Sequence, residues 1–270
     1  MIAIVSLLAS FFNGFFAAIL PIGLMAAKMS KDKKSLPIYL LMGSAAALVS
    51  VGLLRLFGIT EGYVKLPFIA IEEISLIMLL AALFVGLIAT YASTILNWVA
   101  SELKKLFNFV PKNWLLQGIV AGLGIGVIYY LLGPVGFFSG HTALESLIYD
   151  NSEYTSFQLA GLAVGKLLVT AWCVATIYRG GVIYPLLVVG MSLALLFVGA
   201  FPDSTWLATL LVATFVGAFG GNFKSAIVGA AFVLPLFGIG SITLVIAAVI
   251  GSSLALNIPK LTSRKKLATQ

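Results

Sequence analysis

The sequence has little charge for its length. Of its 270 residues, 9% are charged and 61% are hydrophobic, whereas about a quarter of the residues in soluble domains are charged. This composition excludes a water-soluble globular protein and indicates an integral membrane protein, with the lipid bilayer as its surroundings. The sequence contains one cysteine and one histidine. Intramolecular disulfides and zinc cages built from cysteine and histidine are therefore excluded.

The residue patterns of common enzyme sites are also missing. The sequence shows no Ser-His-Asp set, no pair of carboxylates on one helix face and no nucleotide-binding loop. We therefore expect no enzyme activity, no cofactor and no metal. The net charge is +7, but the basic residues lie in short clusters between apolar segments, so we expect no nucleic-acid partner. The uncharged run 1–27 is longer than the core of a signal peptide, and we expect it to be retained in the membrane.

Three basic clusters orient the chain. Cytoplasmic loops of membrane proteins carry an excess of lysine and arginine. The clusters consist of Lys28, Lys31, Lys33 and Lys34; of Lys104, Lys105 and Lys112; and of Lys260, Arg264, Lys265 and Lys266. Segment 133–157 contains acidic residues and no lysine or arginine, which places it on the outer side. We expect a multi-pass protein of the cell membrane with a cytoplasmic C-terminus.

The apolar segments become irregular after residue 112. The pattern predicts spans at 36–54, 75–103, 113–132, 157–178, 182–201, 204–219, 225–236 and 239–256, and a short amphipathic helix at 142–149. Several spans are shorter than the about 20 residues that a helix needs to cross a bilayer. Breaks are predicted at Gly133-Pro134, Gly180-Gly181, Phe201-Pro202-Asp203, Gly220-Gly221-Asn222 and Pro235. Broken helices that line a cavity are typical of transporters and channels. We predict one membrane domain, 1–258, followed by a basic cytoplasmic tail, 259–270.

The stretch Gly181-Val182-Ile183-Tyr184-Pro185 is a candidate anion-binding site. If a helix starts just after Gly181, the first amide groups have no acceptor within the helix, and the helix dipole adds partial positive charge there. Pro185 suits a first turn, and glycine allows an ion to approach the backbone closely. The competing interpretation is that the glycine pair only permits tight helix packing. The residues alone leave both interpretations open.

The segment GKLLVTAWCVATIYRGGVIYPLLVVGMSLALLF resembles the CLC family of chloride channels and proton/chloride exchangers. It matches a Lys-x-x-x-Thr helix, here Lys166 and Thr170, that leads into a Gly-x-Phe-x-Pro motif, here residues 181–185. The resemblance implies an all-α polytopic membrane fold and a homodimer. It also implies that the backbone amides of Val182 and Ile183 hold chloride or a similar anion. Lys166 lies inside a predicted span, where a charge faces a cavity or a partner, or extends to the interface.

The sequence departs from the family pattern in its first half. The Gly-Ser-Gly-Ile-Pro motif and the motif with the gating glutamate are not found, and Leu24 or Met25 stands where exchangers carry a proton-transferring glutamate. We therefore expect the second inverted repeat with the end of the first, and passive rather than proton-coupled transport. A separately encoded N-terminal CLC half is a further partner that this pattern allows. Two other functions stay open: a non-conducting membrane subunit, and a carrier for an organic solute.

Overall fold

The chain folds entirely into helices in the part that the structure describes. A computed structural model describes residues 36–58, 73–132, 140–178, 181–199 and 204–268. The α-helices are α1, Leu36–Leu56; α2, Leu76–Phe107; α3, Trp114–Leu132; α4, His141–Tyr149; α5, Ser156–Ala175; α6, Ile183–Val198; α7, Ser204–Asn222; α8, Ala226–Phe237; and α9, Ile242–Ala268. Short 3-10 turns lie at Asn151–Glu153 and Ile239–Ser241.

Helix length separates two kinds of element. By length and composition, α2, α3, α5 and α7 are long and apolar enough to cross a bilayer. By contrast, α6 has 16 residues and α8 has 12, which is short of the about 20 residues needed for a full crossing. The prediction of an all-α polytopic membrane protein is confirmed by this set of helices.

The predicted helix breaks have different outcomes. The break before residue 182 is confirmed, because α5 ends at Ala175 and α6 begins at Ile183. A break near residues 220–222 is present but lies slightly later than predicted, since α7 includes these residues and ends at Asn222, and α8 begins at Ala226. The break predicted at Pro235 is wrong, because α8 contains Pro235 and continues to Phe237. The predicted breaks at 133–134 and 201–203 lie outside the described residues.

The two glycines that do not break α7 serve helix packing instead. A Cβ added at Gly220 would lie 2.6 Å from Ser252 Oγ of α9, and one added at Gly221 would lie 2.6 Å from Ser93 Oγ of α2. Neither distance leaves room for a side chain. The glycines therefore let three helices approach at backbone distance, as small residues do in membrane interiors.

Helices α2, α7 and α9 form the centre of the bundle and run in the same direction. A Cβ at Gly86 of α2 would lie 2.7 Å from the carbonyl oxygen of Ala248. One turn further along both helices, Thr90 Oγ1 lies 2.8 Å from Ser252 Oγ. Gly217 of α7 lies against Gly86 and Thr90 of α2, and Gly221 lies against Thr90 and Ser93, so α7 also runs parallel to α2. The end of α2 that carries Lys104 and Lys105 therefore points the same way as the C-terminal end of α9.

Helix α6 lies in the interior beside this centre. Its residues 184–192, 194 and 195 are buried, and the helices that contact it are α2, α4, α5 and α7. Helix α3 is peripheral and lies against α5, where Trp172 Nε1 donates a hydrogen bond of 2.9 Å to the carbonyl oxygen of Ala121. Helix α9 passes through residue 258 without interruption, so the division between membrane domain and tail stays a prediction.

Candidate anion-binding site

The first turn of α6 presents backbone amides that no side chain caps. Val182 is the N-cap residue, with φ −94° and ψ −11°, and its apolar side chain makes no capping hydrogen bond. The Leu186 amide donates to the Val182 carbonyl at 3.1 Å and closes the first turn. In the described part of the chain, no acceptor bonds the amides of Val182 or Ile183. Among the described residues these two amides are therefore unused donors at the helix start, and Pro185 has no amide hydrogen to donate.

The start of α6 opens outward at Gly181. Gly181 is exposed, Val182 and Ile183 are half-buried, and Tyr184 and Pro185 are buried. A Cβ added at Gly181 would meet nothing within 4 Å, and its φ lies outside the left-handed region. Neither packing nor backbone conformation therefore requires glycine here. No described residue fills the space beside Gly181, which leaves room for a small ligand there.

Thr170 uses its hydroxyl within α5. Helix α5 begins with a capping box, in which Thr155 Oγ1 accepts from the Gln158 amide and the Gln158 side chain accepts from the Thr155 amide. Four residues beyond Lys166, Thr170 Oγ1 donates to the Lys166 carbonyl at 2.6 Å. This bond satisfies the buried hydroxyl inside its own helix. In this geometry Thr170 supports the backbone at Lys166, and its proton is not offered to a ligand.

The Lys166 side chain extends to the start of α4. Its side chain is 0% exposed. A Cβ added at Gly140, the N-cap of α4, would lie 3.1 Å from Lys166 Cε and 3.5 Å from its Nζ. The same point is 2.9 Å from Val188 Cγ2 of α6. Val188 follows Ile183 by five residues, or about 7.5 Å along a helix axis, so the contact between Gly140 and α6 lies more than one turn beyond the first residue of α6.

Gly140 is a residue of this region that the sequence did not single out. Its φ of +95° is in the left-handed region, where residues with a Cβ are disfavoured. A sequence signal for it was its position two residues before the amphipathic segment 142–149, since glycine occurs at N-caps. The structure thus places the predicted residues in two groups: residues 181–185 at the start of α6, and Lys166 and Thr170 on α5, with Lys166 beside Gly140.

The start of α6 and the region around Lys166 and Gly140 are both electrostatically positive. A helix N-terminus carries a partial charge of about +0.5, and α4 and α6 both begin in this region. Backbone amides bind an anion without the full charge of a lysine at contact distance, which favours release as well as binding. Among the described residues no group of three His, Cys, Asp or Glu side chains is placed to hold a metal ion. The arrangement suits a small, weakly held anion.

Comparison with known proteins identifies a family. The profile described as voltage gated chloride channel matches residues 59–257, which is more than half of the chain. A protein of Escherichia coli O7:K1 named "Putative ion-transport protein YfeO" is 28% identical over 158 residues, covering 58% of this chain and 36% of the relative. The proteins of the same name from Escherichia fergusonii and Shigella flexneri are 27% and 28% identical over the same length.

These matches leave most of each relative uncovered, since the chain spans about a third of the length of the curated relatives it matches. The matched region contains α2 to α8, together with α9 as far as residue 257, and so it includes the α6 start and Lys166. The resemblance predicted from residues 166–185 is confirmed by the family match. The chain belongs to the voltage gated chloride channel family.

Proposed function

We propose that this protein takes part in the passive movement of chloride, or a similar small monovalent anion, across the cell membrane. The anion is held by the backbone amides of Val182 and Ile183. The observation that carries this proposal is the pair of unbonded amides at an open, uncapped helix start. Membership of the voltage gated chloride channel family and the ion-transport names of the relatives support it.

The side chains around the site have supporting roles in this proposal. Gly181 leaves the approach to the amides open, and Tyr184 and Pro185 anchor the turn in the protein interior. Lys166 adds positive potential from its buried position and draws anions toward the helix start without contacting them there. Passive movement follows from the residues at 24 and 25, which are leucine and methionine and cannot carry a proton.

The proposed assembly is a homodimer in the cell membrane, with a cytoplasmic C-terminus. Helix α9 supports the dimer because four large apolar side chains spaced one helical turn apart are exposed on one face. They are Ile242, Ile246, Ile250 and Leu254. This stripe can pack against the same stripe of a second copy or against lipid. A separately encoded N-terminal CLC half stays a further proposed partner, and its addition is one arm of the experiment below.

Chloride efflux from liposomes tests the proposal. The protein is reconstituted into liposomes loaded with potassium chloride, and valinomycin is added so that potassium can follow the anion. We expect chloride efflux above that of protein-free liposomes, no accompanying proton movement in a pH-indicator recording, and no efflux of gluconate. The matched variants are Ile183→Pro, which removes one of the two amides, and Ile183→Leu, which keeps it.

Three results would contradict the proposal. Chloride efflux that drives protons would contradict the proposal that movement is passive. Equal efflux from Ile183→Pro and Ile183→Leu would contradict the proposal that the Ile183 amide binds the anion. No efflux from the wild-type protein, with or without a co-expressed N-terminal half, would favour the alternative of a non-conducting membrane subunit. That alternative has support in the exposed stripe of α9, which serves association whether or not an anion passes.

A further inference from the structure

The α2–α3 turn, defined as residues 108–113 together with the flanking helix ends from 104 to 114, has a backbone held by hydrogen bonds. The Asn108 amide donates to the Lys104 carbonyl at 3.0 Å, and the Phe109 amide donates to the Leu106 carbonyl at 3.1 Å. On the other side of the turn, the side chain of Asn113 accepts from the Leu115 amide at 2.9 Å and caps α3. The turn therefore holds its side chains in set positions.

This turn combines exposed aromatic rings with exposed lysines. Phe109 is 86% exposed and Trp114 is 81% exposed, and Lys104 and Lys112 are exposed beside them. Both rings are costly to expose to water. The amphipathic ring of Trp114 is favoured at the headgroup level of a bilayer, and the apolar ring of Phe109 is buried when it reaches the adjoining acyl chains. The turn joins two helices that are long enough to span a membrane. It must therefore lie at the level of the lipid headgroups.

The lysines of the turn carry a net positive charge. Lys105 pairs with Glu102 at 2.6 Å, which neutralises one of them. Lys104 and Lys112 form no ion pair within the described residues. Helix α2 has 32 residues, or about 48 Å, against a hydrocarbon thickness of about 30 Å. Its last turns, with Lys104, therefore reach into the headgroup region.

We propose that the α2–α3 turn binds the headgroup of an anionic phospholipid. Lys104 and Lys112 contact the phosphate groups, and Phe109 and Trp114 lie between headgroups and acyl chains. A bilayer lipid fits better than an acidic soluble protein, because the exposed rings belong at a membrane interface. It also fits better than free phosphate, which has nothing to cover the rings. The basic C-terminal cluster, which α9 directs toward the same end, strengthens the attraction for anionic lipid.

Quenching of Trp114 fluorescence by brominated lipids measures this binding. The full chain is reconstituted in phosphatidylcholine bilayers that contain either brominated phosphatidylglycerol or brominated phosphatidylcholine. The chain has four tryptophans, so the signal of Trp114 is taken as the difference between the wild-type protein and Trp114→Phe. We expect stronger quenching by phosphatidylglycerol, because the lysines concentrate it around the ring.

Matched charge variants distinguish lipid binding at this turn from a general attraction of anionic lipid to the basic protein. Each lysine near a membrane surface contributes about a fivefold preference for anionic lipid. Lys112→Gln should therefore lower the preference at Trp114 about fivefold, and Lys104→Gln with Lys112→Gln about thirtyfold. Lys224→Gln removes the same single charge from the exposed turn between α7 and α8 and should leave the preference at Trp114 unchanged.

Several results would overturn the proposal. One is equal quenching by the two brominated lipids in the wild-type protein. Another is an equal loss of preference in Lys112→Gln and Lys224→Gln, which would show a general charge effect. Displacement of phosphatidylglycerol by millimolar inorganic phosphate would show that free phosphate occupies the site. The proposal does not depend on anion transport, so a protein without chloride efflux can still show the lipid preference.

Discussion

Gly140 should tolerate substitution poorly, because two independent effects disfavour a side chain there. It combines a positive φ of +95° with close contacts on two sides. A Cβ would lie 2.9 Å from Val188 Cγ2 and 3.1 Å from Lys166 Cε. Both partners are fully buried, at 0% exposure, and have little room to withdraw.

The cost of Gly140→Ala can be worked out from these two effects. Placing a side chain in the left-handed region costs about 1–2 kcal/mol. Forcing an extra methyl group into a filled interior costs about 1–3 kcal/mol. Gly140→Ala should therefore lower the free energy of unfolding by about 2–5 kcal/mol. Because Lys166 must move, we also expect weaker anion binding in the protein that remains folded.

Two other glycines separate the two effects. Gly58 has a φ of +74° and open space around its Cβ position, so Gly58→Ala should cost only the backbone penalty of about 1–2 kcal/mol. Gly126 of α3 has open space and no positive φ, so Gly126→Ala should cost nothing and should favour the helix. Unfolding is followed by circular dichroism during titration of detergent-solubilised protein with sodium dodecyl sulfate. If Gly140→Ala is as stable as wild type, or no less stable than Gly58→Ala, Lys166 does not pack as described.

The remaining predictions concern the bundle centre, the peripheral helix and the topology. Thr90→Val removes a hydroxyl that lies 3.1 Å from the Gly217 carbonyl oxygen, and it should lower the free energy of unfolding by about 0.5–2 kcal/mol. The control is Thr90→Ser, which keeps the hydroxyl and should lose less stability. Equal losses in the two variants would contradict the role of the hydroxyl. Trp172→Phe removes the hydrogen bond from Trp172 Nε1 to the Ala121 carbonyl that joins α5 to α3, and it should speed hydrogen exchange in α3 but not in α6; exchange in α3 equal to that of the wild type would show that apolar packing holds α3. Cysteines placed at Lys105 and Lys265 in a cysteine-free background should resist an impermeant thiol reagent in intact cells and react after permeabilisation, and ready labelling from outside would reverse the predicted orientation.

The sequence predicted the start of α6 to within one residue, because the signal there is local. A glycine pair followed by Pro185 indicates a helix start, and the structure begins α6 at Ile183. The same local logic placed the next break at residues 220–222, which is slightly early, because the two glycines belong to α7 and the helix ends at Asn222. The end of α7 depends on its contacts with α2 and α9, and these contacts cannot be read from the local sequence.

The position of Lys166 shows the same limit. Its location inside a span could be predicted from its apolar neighbours, and so could the cost of a charge there. Its contact with Gly140 could not, because the two residues lie on different helices and meet only when α4 and α5 pack beside α6. The unbonded amides of residues 182 and 183 could be predicted from the helix start, while the open space beside Gly181 is visible only in the structure.

The most direct test of the central claim is halide binding to a protein that lacks one backbone amide at the start of α6. Replacing Ile183 by its α-hydroxy acid turns that amide into an ester, which deletes the N–H and keeps the side chain. The same replacement at Leu187, inside α6, is the control for the weakening of the helix itself. Isothermal titration calorimetry on folded, detergent-solubilised protein should show chloride binding about tenfold to a hundredfold weaker for the ester at 183, as expected for the loss of one hydrogen bond to an ion. The ester at 187 should bind as the wild type does. Chloride binding that is the same in all three proteins, or absent from the wild type, would contradict the claim that these amides hold the anion.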